Sequence, residues 1–397
     1  MNKPAIHGGA PASPHPIPYG RQYIDDADIS AVTEVLKSPY LTCGPAIPAL
    51  EQKLCELTGA KYAVAVSNCT AALHIACMAA GITFGDEVIT SPITFAASAN
   101  CVLYCGGKPV FADINPETYN ISPVSIEEHI TDKTKAVIPV HYTGQAAELH
   151  EIKALCQKYG LILIEDAAHA IGTKYDGISI GNFGDMTCFS FHPVKTVTSG
   201  EGGAVLTNDE ALYKKLVLAR SHGITRDDSL MVHPTGEPWY YEMVDFGYNY
   251  RMTDIQAALL SSQLDKLPLF SKRRKEIVAR YDKAFSQIKG LIIQKEIPFS
   301  DPTRHLYELQ IDTNILSCNR REFFDAMAKE NIFCQIHYIP VYWHPYYEKL
   351  GYPKGLCPNA EHLYERFISL PLYYCLSDDE VDSVIEAVTK ITNYYQK

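Results

Sequence analysis

Residues 161–208 read LILIEDAAHAIGTKYDGISIGNFGDMTCFSFHPVKTVTSGEGGAVLTN, and their pattern is the basis of the fold prediction. The stretch opens with an apolar run, 161–164, that ends in two carboxylates, Glu165 and Asp166. A second apolar run, 188–191, follows after a glycine-rich connection. Short apolar runs bounded by turn residues are typical of buried strands. The pattern therefore predicts two strands of an α/β sheet, with a pair of acidic side chains at the end of the first.

A lone lysine, Lys195, follows the second run within four residues, inside the apolar and aromatic segment FSFHPVK (189–195). Burial in such surroundings lowers the pKa of an amine and favours its nucleophilic form. A carboxylate at one strand end and a lysine just past the next are what a pyridoxal 5'-phosphate (PLP) enzyme requires. The amine bonds to the cofactor aldehyde, and Asp166 keeps the pyridine nitrogen protonated. Spacing alone leaves the alternative open, because acidic strand ends and solvated loop lysines are common.

Strands alternate with helices from residue 62 onward, which predicts a mainly parallel sheet covered on both faces. Ligands of such sheets bind at the carboxyl ends of the strands. Four polar segments are expected at those ends: 67–70, 91–95, His141 and Asp166. Their convergence supports a ligand site independently of any single motif.

Several residues near these ends are candidate cofactor contacts. The segment SNCTAA (67–72) follows a strand and opens a helix, so it suits a phosphate, although simple capping is the alternative. Phe95 suits stacking on a planar ring, His169 lies three residues after Asp166, and Ser190 can donate a hydroxyl to a phosphate. Each has an ordinary core or backbone-bonding role as its alternative.

The chain length favours two domains. Two long helices, 252–267 and 272–288, are predicted to lead from a large ligand-binding domain with an extended N-terminal segment, 1–270, to a small C-terminal α/β domain, 271–397. The small domain is predicted to contain alternating helices and strands, and one of these strands is expected at residues 332–338.

The composition of the chain argues against several classes of function. The formal charge of −11 without a basic block argues against nucleic-acid binding. The sequence contains no apolar run of 18 residues and no signal-like N-terminus, so we expect no membrane span and a cytoplasmic protein. Twelve cysteines are scattered without a CxxC pair, which predicts no metal site and reduced thiols.

Seven ordered blocks resemble the DegT-type family of PLP-dependent nucleotide-sugar aminotransferases over essentially the whole chain. The resemblance implies the aspartate-aminotransferase-like fold (fold type I), with a large, mainly parallel sheet domain and a smaller C-terminal α/β domain. The blocks are LTCGP (41–45), SNCTAALH (67–74), GDEVITSPITFAASAN (85–100), EDAAHAIG (165–172), FSFHPVK (189–195), GEGGAVLTND (200–209) and GYNYRMTDIQAAL (247–259).

The resemblance assigns roles by position. Lys195 matches the lysine that bonds to the cofactor, and Asp166 matches the partner of the pyridine nitrogen. Phe95 matches the aromatic residue that stacks on the ring. His169 matches the residue near the phenolic oxygen of the cofactor.

The same comparison implies a phosphate site and a second subunit. Cys69, Thr70 and Ser190 match the phosphate contacts. Asn249 falls in the segment that, in this family, reaches the phosphate bound by the neighbouring subunit. A homodimer with shared active sites is therefore implied.

Relatives that dehydrate sugars carry histidine where this chain has Lys195, so transamination is favoured. FSFHPVK, together with residues 337–340 and 344–347, resembles a narrower group, the UDP-4-amino-4,6-dideoxy-N-acetyl-β-L-altrosamine transaminases of pseudaminic acid biosynthesis. This implies amination at C4 of a UDP-linked 4-keto-6-deoxy-N-acetylhexosamine, with glutamate as donor and 2-oxoglutarate as product.

The sequence leaves several alternative functions open. They are a different PLP reaction such as decarboxylation or dehydration, amination of another nucleotide-linked keto sugar at C3 or C4, and a non-catalytic, ligand-sensing protein on the same fold. Candidate substrate contacts, each with an ordinary surface or core role as its alternative, are Thr42, Arg226, Tyr240, His305 and His337.

Overall fold

The computed structural model describes residues 3–397. The α-helices of this part of the chain are α1 Asp26–Lys37, α2 Ala46–Thr58, α3 Cys69–Ala79, α4 Ala97–Tyr104, α5 Pro123–Glu128, α6 Leu149–Tyr159, α7 Glu210–Arg220, α8 Asp254–Asp265, α9 Leu267–Phe285, α10 Arg320–Lys329, α11 Pro345–Lys349, α12 Pro358–Tyr364 and α13 Asp378–Tyr395. Short 3-10 helices span Ala5–His7, Tyr142–Gly144 and Val341–Trp343.

The strands are short, and most belong to two sheets. They are β1 Tyr62–Val66, β2 Glu87–Thr90, β3 Lys108–Phe111, β4 Thr134–Ile138, β5 Ile162–Asp166, β6 Lys174–Tyr175, β7 Ile178–Ser179, β8 Met186–Ser190, β9 Gly203–Thr207, β10 Ile224–Thr225, β11 Glu242–Met243, β12 Leu291–Ile293, β13 Ser300–Asp301, β14 Tyr307–Ile311 and β15 Phe367–Leu370.

The large sheet has seven strands in the order β1-β9-β8-β5-β4-β2-β3. The neighbours from β8 to β3 pair in parallel, and β9 is antiparallel to both β1 and β8. All strands except β9 therefore point the same way, and their carboxyl ends meet at one edge. This confirms the predicted α/β fold with a mainly parallel sheet.

Helices cover both faces of this sheet, which is why its strands are apolar throughout rather than alternating. Every residue of β8 and β9 is buried. The small side chains of α3, CTAALHIACMA, allow this helix to pack closely against them, and most of its residues are buried. The run of small residues at 69–79 thus brings the N-terminus of a helix against the sheet edge.

The second sheet is antiparallel, in the order β12-β14-β15. One apolar core joins it to α9, α10 and α13, and includes Ile277, Leu309, Phe323, Ile368 and Val388. The helices α8 and α9 meet at Lys266 without the gap that the sequence predicted between them. The domain boundary at residue 270 falls inside α9 and stays a prediction.

The predicted strand 332–338 is wrong. Its backbone hydrogen bonds are divided between two neighbours, since the amide of Phe333 donates to Ile17 and the amide of Gln335 donates to Ser369. Neither contact extends into a ladder, and only isolated bridges form. The segment then turns His337 and Tyr338 toward a cavity.

Within residues 3–397, none of the helices combines the length and apolar character needed to cross a membrane.

Candidate active site

A cavity of about 730 Å³ lies at the edge where the parallel strands end. Segments that follow β1, β2, β5 and β8 form one wall, and residues 19, 337 and 338 form the other. It brings together eight of the residues singled out from the sequence: Cys69, Thr70, Phe95, Asp166, His169, Ser190, Lys195 and His337.

Lys195 lies in the turn after β8, where its backbone amide donates to the carbonyl of His192 at 2.9 Å. Burial lowers the pKa of its amine from 10.5 to about 8, although Cys69 and Asp166 partly oppose this shift. The Nζ atom makes no hydrogen bond or ion pair with any residue in the described range. The amine is therefore partly in its free, nucleophilic form near neutral pH.

Asp166 ends β5 and is fixed by two donors. The hydroxyl of Ser98 donates to Oδ2 at 2.5 Å, and the amide of Ala168 donates to Oδ1 at 3.1 Å. Ser98 Oγ also lies 2.6 Å from Thr94 Oγ1. This hydroxyl pair orients the carboxylate. Both hydroxyls lie within the family-like block 85–100, but no local pattern predicts their contact with Asp166.

Glu165, the preceding residue, faces a different environment. Its Oε2 lies 2.9 Å from His141 Nε2, and the amide of Ala147 donates to Nδ1 of the same imidazole at 3.0 Å. Because Nδ1 accepts, Nε2 carries the hydrogen and donates it to Glu165. Burial favours a raised pKa for Glu165, but hydrogen bonds from His141, Thr187 and Gly184 hold the pKa below its usual value.

The N-terminus of α3 forms an anion cradle at the cavity wall. Asn68 caps the helix by accepting from the amide of Ala71 at 2.8 Å. The amides of Cys69 and Thr70 open the helix and have no acceptor within it, so they can donate to a phosphate. A Cβ on Gly203 of β9 would lie 2.5 Å from the backbone of Asn68, so only glycine permits this close approach.

His169 and His305 form a buried pair beside the cavity. Their ring centroids are 4.5 Å apart, and Nε2 of His169 lies 3.2 Å from the hydroxyl of Tyr338. Burial, with Lys195 adding to it, lowers the pKa of each imidazole well below its usual value. Both rings are therefore neutral. His305, predicted to contact substrate, instead lies behind His169 and does not line the cavity.

Four other predicted contacts do not line the cavity of a single chain. Thr42 and Asn249 are exposed. Arg226 and Tyr240 line a separate depression of about 190 Å³. Their predicted roles would need a second copy of the chain and stay predictions.

Four further tyrosines line the cavity without having been singled out as contacts: Tyr19, Tyr104, Tyr250 and Tyr338. Tyr250 lies within the block 247–259, and its hydroxyl is 3.0 Å from Nδ1 of His74. Tyr19 arrives from the N-terminal segment, for which the local sequence carries no signal.

These groups fit PLP. The cradle of α3 and Ser190 suit the phosphate, the exposed ring of Phe95 suits the pyridine face, Asp166 suits the ring nitrogen, and Lys195 supplies a free amine. No cluster of three or more metal-binding side chains occurs among the residues described.

The sequence profile of the DegT/DnrJ/EryC1/StrS aminotransferase family matches residues 22–389. The chain belongs to this family. It is 45% identical over 379 residues to the spore coat polysaccharide biosynthesis protein SpsC of Bacillus subtilis, covering 95% of this chain and 97% of SpsC.

Solved structures agree. Helicobacter pylori PseC, an aminotransferase involved in the biosynthesis of pseudoaminic acid, superimposes with a TM-score of 0.89 at 32% identity, covering 96% of this chain and all of that one. The PLP form of the sugar aminotransferase Spr1654 from Streptococcus pneumoniae gives a TM-score of 0.88 at 30% identity, with 96% and 100% coverage. The protein is thus a PLP-dependent sugar aminotransferase. Its fold is the aspartate-aminotransferase-like fold (fold type I) predicted from its motifs.

Proposed function

We propose that this enzyme transfers the amino group of glutamate to C4 of a UDP-linked 4-keto-6-deoxy-N-acetylhexosamine, for pseudaminic acid biosynthesis. The product is UDP-4-amino-4,6-dideoxy-N-acetyl-β-L-altrosamine. The observation that carries the proposal is the meeting of a free amine, Lys195, and an oriented carboxylate, Asp166, in one cavity of a chain whose overall fold superimposes on that of PseC.

PLP, when bound, supplies an electron sink for the electrons released at the donor carbon. Lys195 would hold the cofactor through its amine in the resting enzyme, and the same amine, once free, would move the proton at the donor carbon. Asp166, held by Ser98, keeps the pyridine nitrogen protonated and so stabilises the developing negative charge. The first two amides of α3 and the hydroxyl of Ser190 hold the phosphate.

The amine of Lys195 serves both half-reactions, and these run in opposite directions for the two substrates. Glutamate gives up its amino group and leaves as 2-oxoglutarate, after which the keto sugar enters and accepts that group at C4. Lys195 returns a proton to the sugar carbon in this second half. The volume of about 730 Å³ falls in the range of small-molecule sites and accommodates a sugar beside the cofactor.

A homodimer with shared active sites forms part of the proposal. Lys195 is the only lysine or arginine that lines the cavity in the described part of the chain, whereas the cofactor and a UDP-sugar both bring phosphates. On the segment that precedes Asn249, Trp239 is 70% and Phe246 is 62% exposed. A second copy would cover these rings and bring Asn249 and Arg226 to the phosphates.

Subunit complementation tests the shared site. Lys195→Ala and Asn249→Ala are each expected to be nearly inactive as homodimers. When the two variants are mixed at random, about half of the dimers contain one chain of each, and one of the two sites in such a dimer is intact. The mixture should therefore regain about a quarter of the wild-type sites. Lack of any recovery, with mixed dimers verified by mass, would show that each site belongs to one chain.

A runner-up is amination of another nucleotide-linked keto sugar at C3 or C4. The higher identity to SpsC, whose name refers to spore coat polysaccharide, favours keeping it. A non-catalytic sensing role is disfavoured by the retained Lys195.

A substrate panel separates the sugars. UDP- and dTDP-linked 4-keto and 3-keto sugars are offered with glutamate, 2-oxoglutarate is quantified, and the aminated carbon is identified by NMR. The proposal expects highest kcat/KM for the UDP-linked 4-keto-6-deoxy-N-acetyl sugar with the amine at C4. Preference for another nucleotide or for C3 would establish the runner-up.

A further inference from the structure

A buried carboxyl group lies behind the cavity wall, on the small sheet. Glu308 of β14 is paired directly across from Ser369 of β15, and both side chains are fully or almost fully buried. The Ser369 Oγ lies 2.8 Å from each carboxyl oxygen of Glu308. No lysine or arginine within residues 3–397 forms an ion pair with Glu308.

Ser369 connects this carboxyl to the cavity. Its Oγ also lies 2.8 Å from Nδ1 of His337, a residue of the cavity wall. Nε2 of His337 has no hydrogen-bond partner among the residues described, so it is the ring nitrogen left for a ligand. Glu308 thus contacts Ser369, Ser369 contacts His337, and His337 lines the cavity.

We propose that Glu308 and Ser369 are positioning residues that fix the ring orientation and the tautomer of His337, so that its Nε2–H is presented to an acceptor oxygen of the keto-sugar substrate. The inference rests on the proposed function and adds a specificity device to it. A phosphate oxygen or an amide carbonyl oxygen of the sugar nucleotide is the kind of acceptor that such a donor recognises.

The direction of the hydrogen bonds follows from the charge state of Glu308. Burial raises the pKa of Glu308 to about 8, although hydrogen bonds that Ser369 and Tyr142 can donate to the ionised carboxylate partly oppose this. The neutral acid donates to Ser369 Oγ, and the serine hydroxyl then donates to Nδ1 of His337. Burial and the nearby Lys195 lower the pKa of His337 to about 4, so the ring is neutral and its single hydrogen resides on Nε2.

Among residues 3–397, no lysine or arginine is paired with Glu308 in a way that would favour its ionised form. The titratable groups that face it from the neighbouring elements are Tyr119, Tyr142, Cys334, His337 and Tyr338. When Glu308 loses its proton above pH 8, it takes the hydrogen bond of Ser369. Ser369 then accepts from Nδ1–H, and Nε2 turns a lone pair toward the substrate oxygen.

Steady-state kinetics of the reconstituted enzyme test this relay, with KM for the keto sugar and kcat measured between pH 6.5 and 9.5. In the wild type, KM for the sugar should rise above pH 8. Glu308→Gln should retain the wild-type KM at pH 7, because its amide also donates to Ser369, and should abolish the alkaline rise. Ser369→Ala should raise KM for the sugar about tenfold at pH 7 with kcat within about twofold.

Thr392→Val is the matched control, because this buried hydroxyl donates to the carbonyl of Val388 within α13 and is remote from the relay. An unchanged KM in Ser369→Ala, or an alkaline rise that persists in Glu308→Gln, would overturn the inference. If Ser369→Ala does not fold, Glu308→Gln alone decides. Wild-type turnover reports the proposed function, whereas differences between variants report the relay, and a wild type that does not turn over the sugar would contradict both.

Discussion

Glu165 and Asp166 are adjacent in the chain, yet their side chains lie on opposite sides of the large sheet. Asp166 lines the cavity, with Ser98 donating to it, whereas Glu165 is buried against His141. Side chains alternate across a strand, so consecutive acidic residues at a strand end cannot both face one ligand. One carboxylate is therefore available for chemistry, and the other stabilises the edge of the sheet.

Asp166→Asn should retain folding and PLP binding but lower kcat by about 10²–10⁴-fold. The amide oxygen can still accept from the backbone amide of Ala168, and the hydroxyl of Ser98 can accept from the new NH₂ group. A neutral side chain, however, no longer holds the pyridine nitrogen protonated. The measurement is kcat at saturating PLP, with thermal unfolding as the check on folding. A variant within threefold of wild type would remove Asp166 from the chemistry.

Glu165→Gln should have the opposite profile. The NH₂ group of glutamine would face Nε2–H of His141 and leave a buried donor unpaired, which lowers the free energy of unfolding by about 1–3 kcal/mol. Turnover per folded molecule should stay near wild type. Urea unfolding and kcat of the same preparation decide the matter, and a large loss of kcat without loss of stability would refute the structural role.

Capture of PLP by the apo-protein should accelerate with pH and level off above about 8. Only the deprotonated amine of Lys195 attacks the aldehyde, and burial lowers its pKa to about 8. About a tenth of the amine is then free at pH 7. Stopped-flow absorbance after mixing with PLP measures the rate. A rate that still climbs steeply between pH 9 and 10 would indicate an ordinary, solvated lysine.

Gly203→Ala should weaken PLP binding by at least about tenfold, because the added Cβ would displace the backbone of Asn68 and the start of α3. Gly20→Ala is the control, since a Cβ there meets no atom within 4 Å and its φ is not positive. PLP affinity is measured by fluorescence titration. Equal affinities in the two variants would show that the cradle does not depend on this close approach.

Local signals in the sequence predicted most of the large domain. Apolar runs ending in polar residues identified the strands and the residues at their carboxyl ends, including Asp166 and the segment before Lys195. Contacts between distant segments had no such signal. Ser98 lies on helix α4 and contacts Asp166 at the end of strand β5. Tyr19 belongs to an irregular N-terminal segment.

The small domain was harder to predict for the same reason. Residues 332–338 are apolar enough for a strand, but their hydrogen bonds are divided between Ile17 and Ser369. The pairing of Glu308 with Ser369 joins residues 61 positions apart and cannot be read from either strand alone. The predicted roles of Thr42, Asn249, Arg226 and Tyr240 stay predictions, because none of these residues lines the cavity of a single chain.

The most direct test is the visible absorption spectrum of the PLP-reconstituted enzyme before and after glutamate is added, with Lys195→Ala as the comparison. We expect a yellow wild-type protein whose band is replaced by that of the pyridoxamine form, with one 2-oxoglutarate released per site. Lys195→Ala should bind PLP without the wild-type band. A wild type that binds PLP but does not respond to glutamate, or a Lys195→Ala variant that responds as the wild type does, would contradict it.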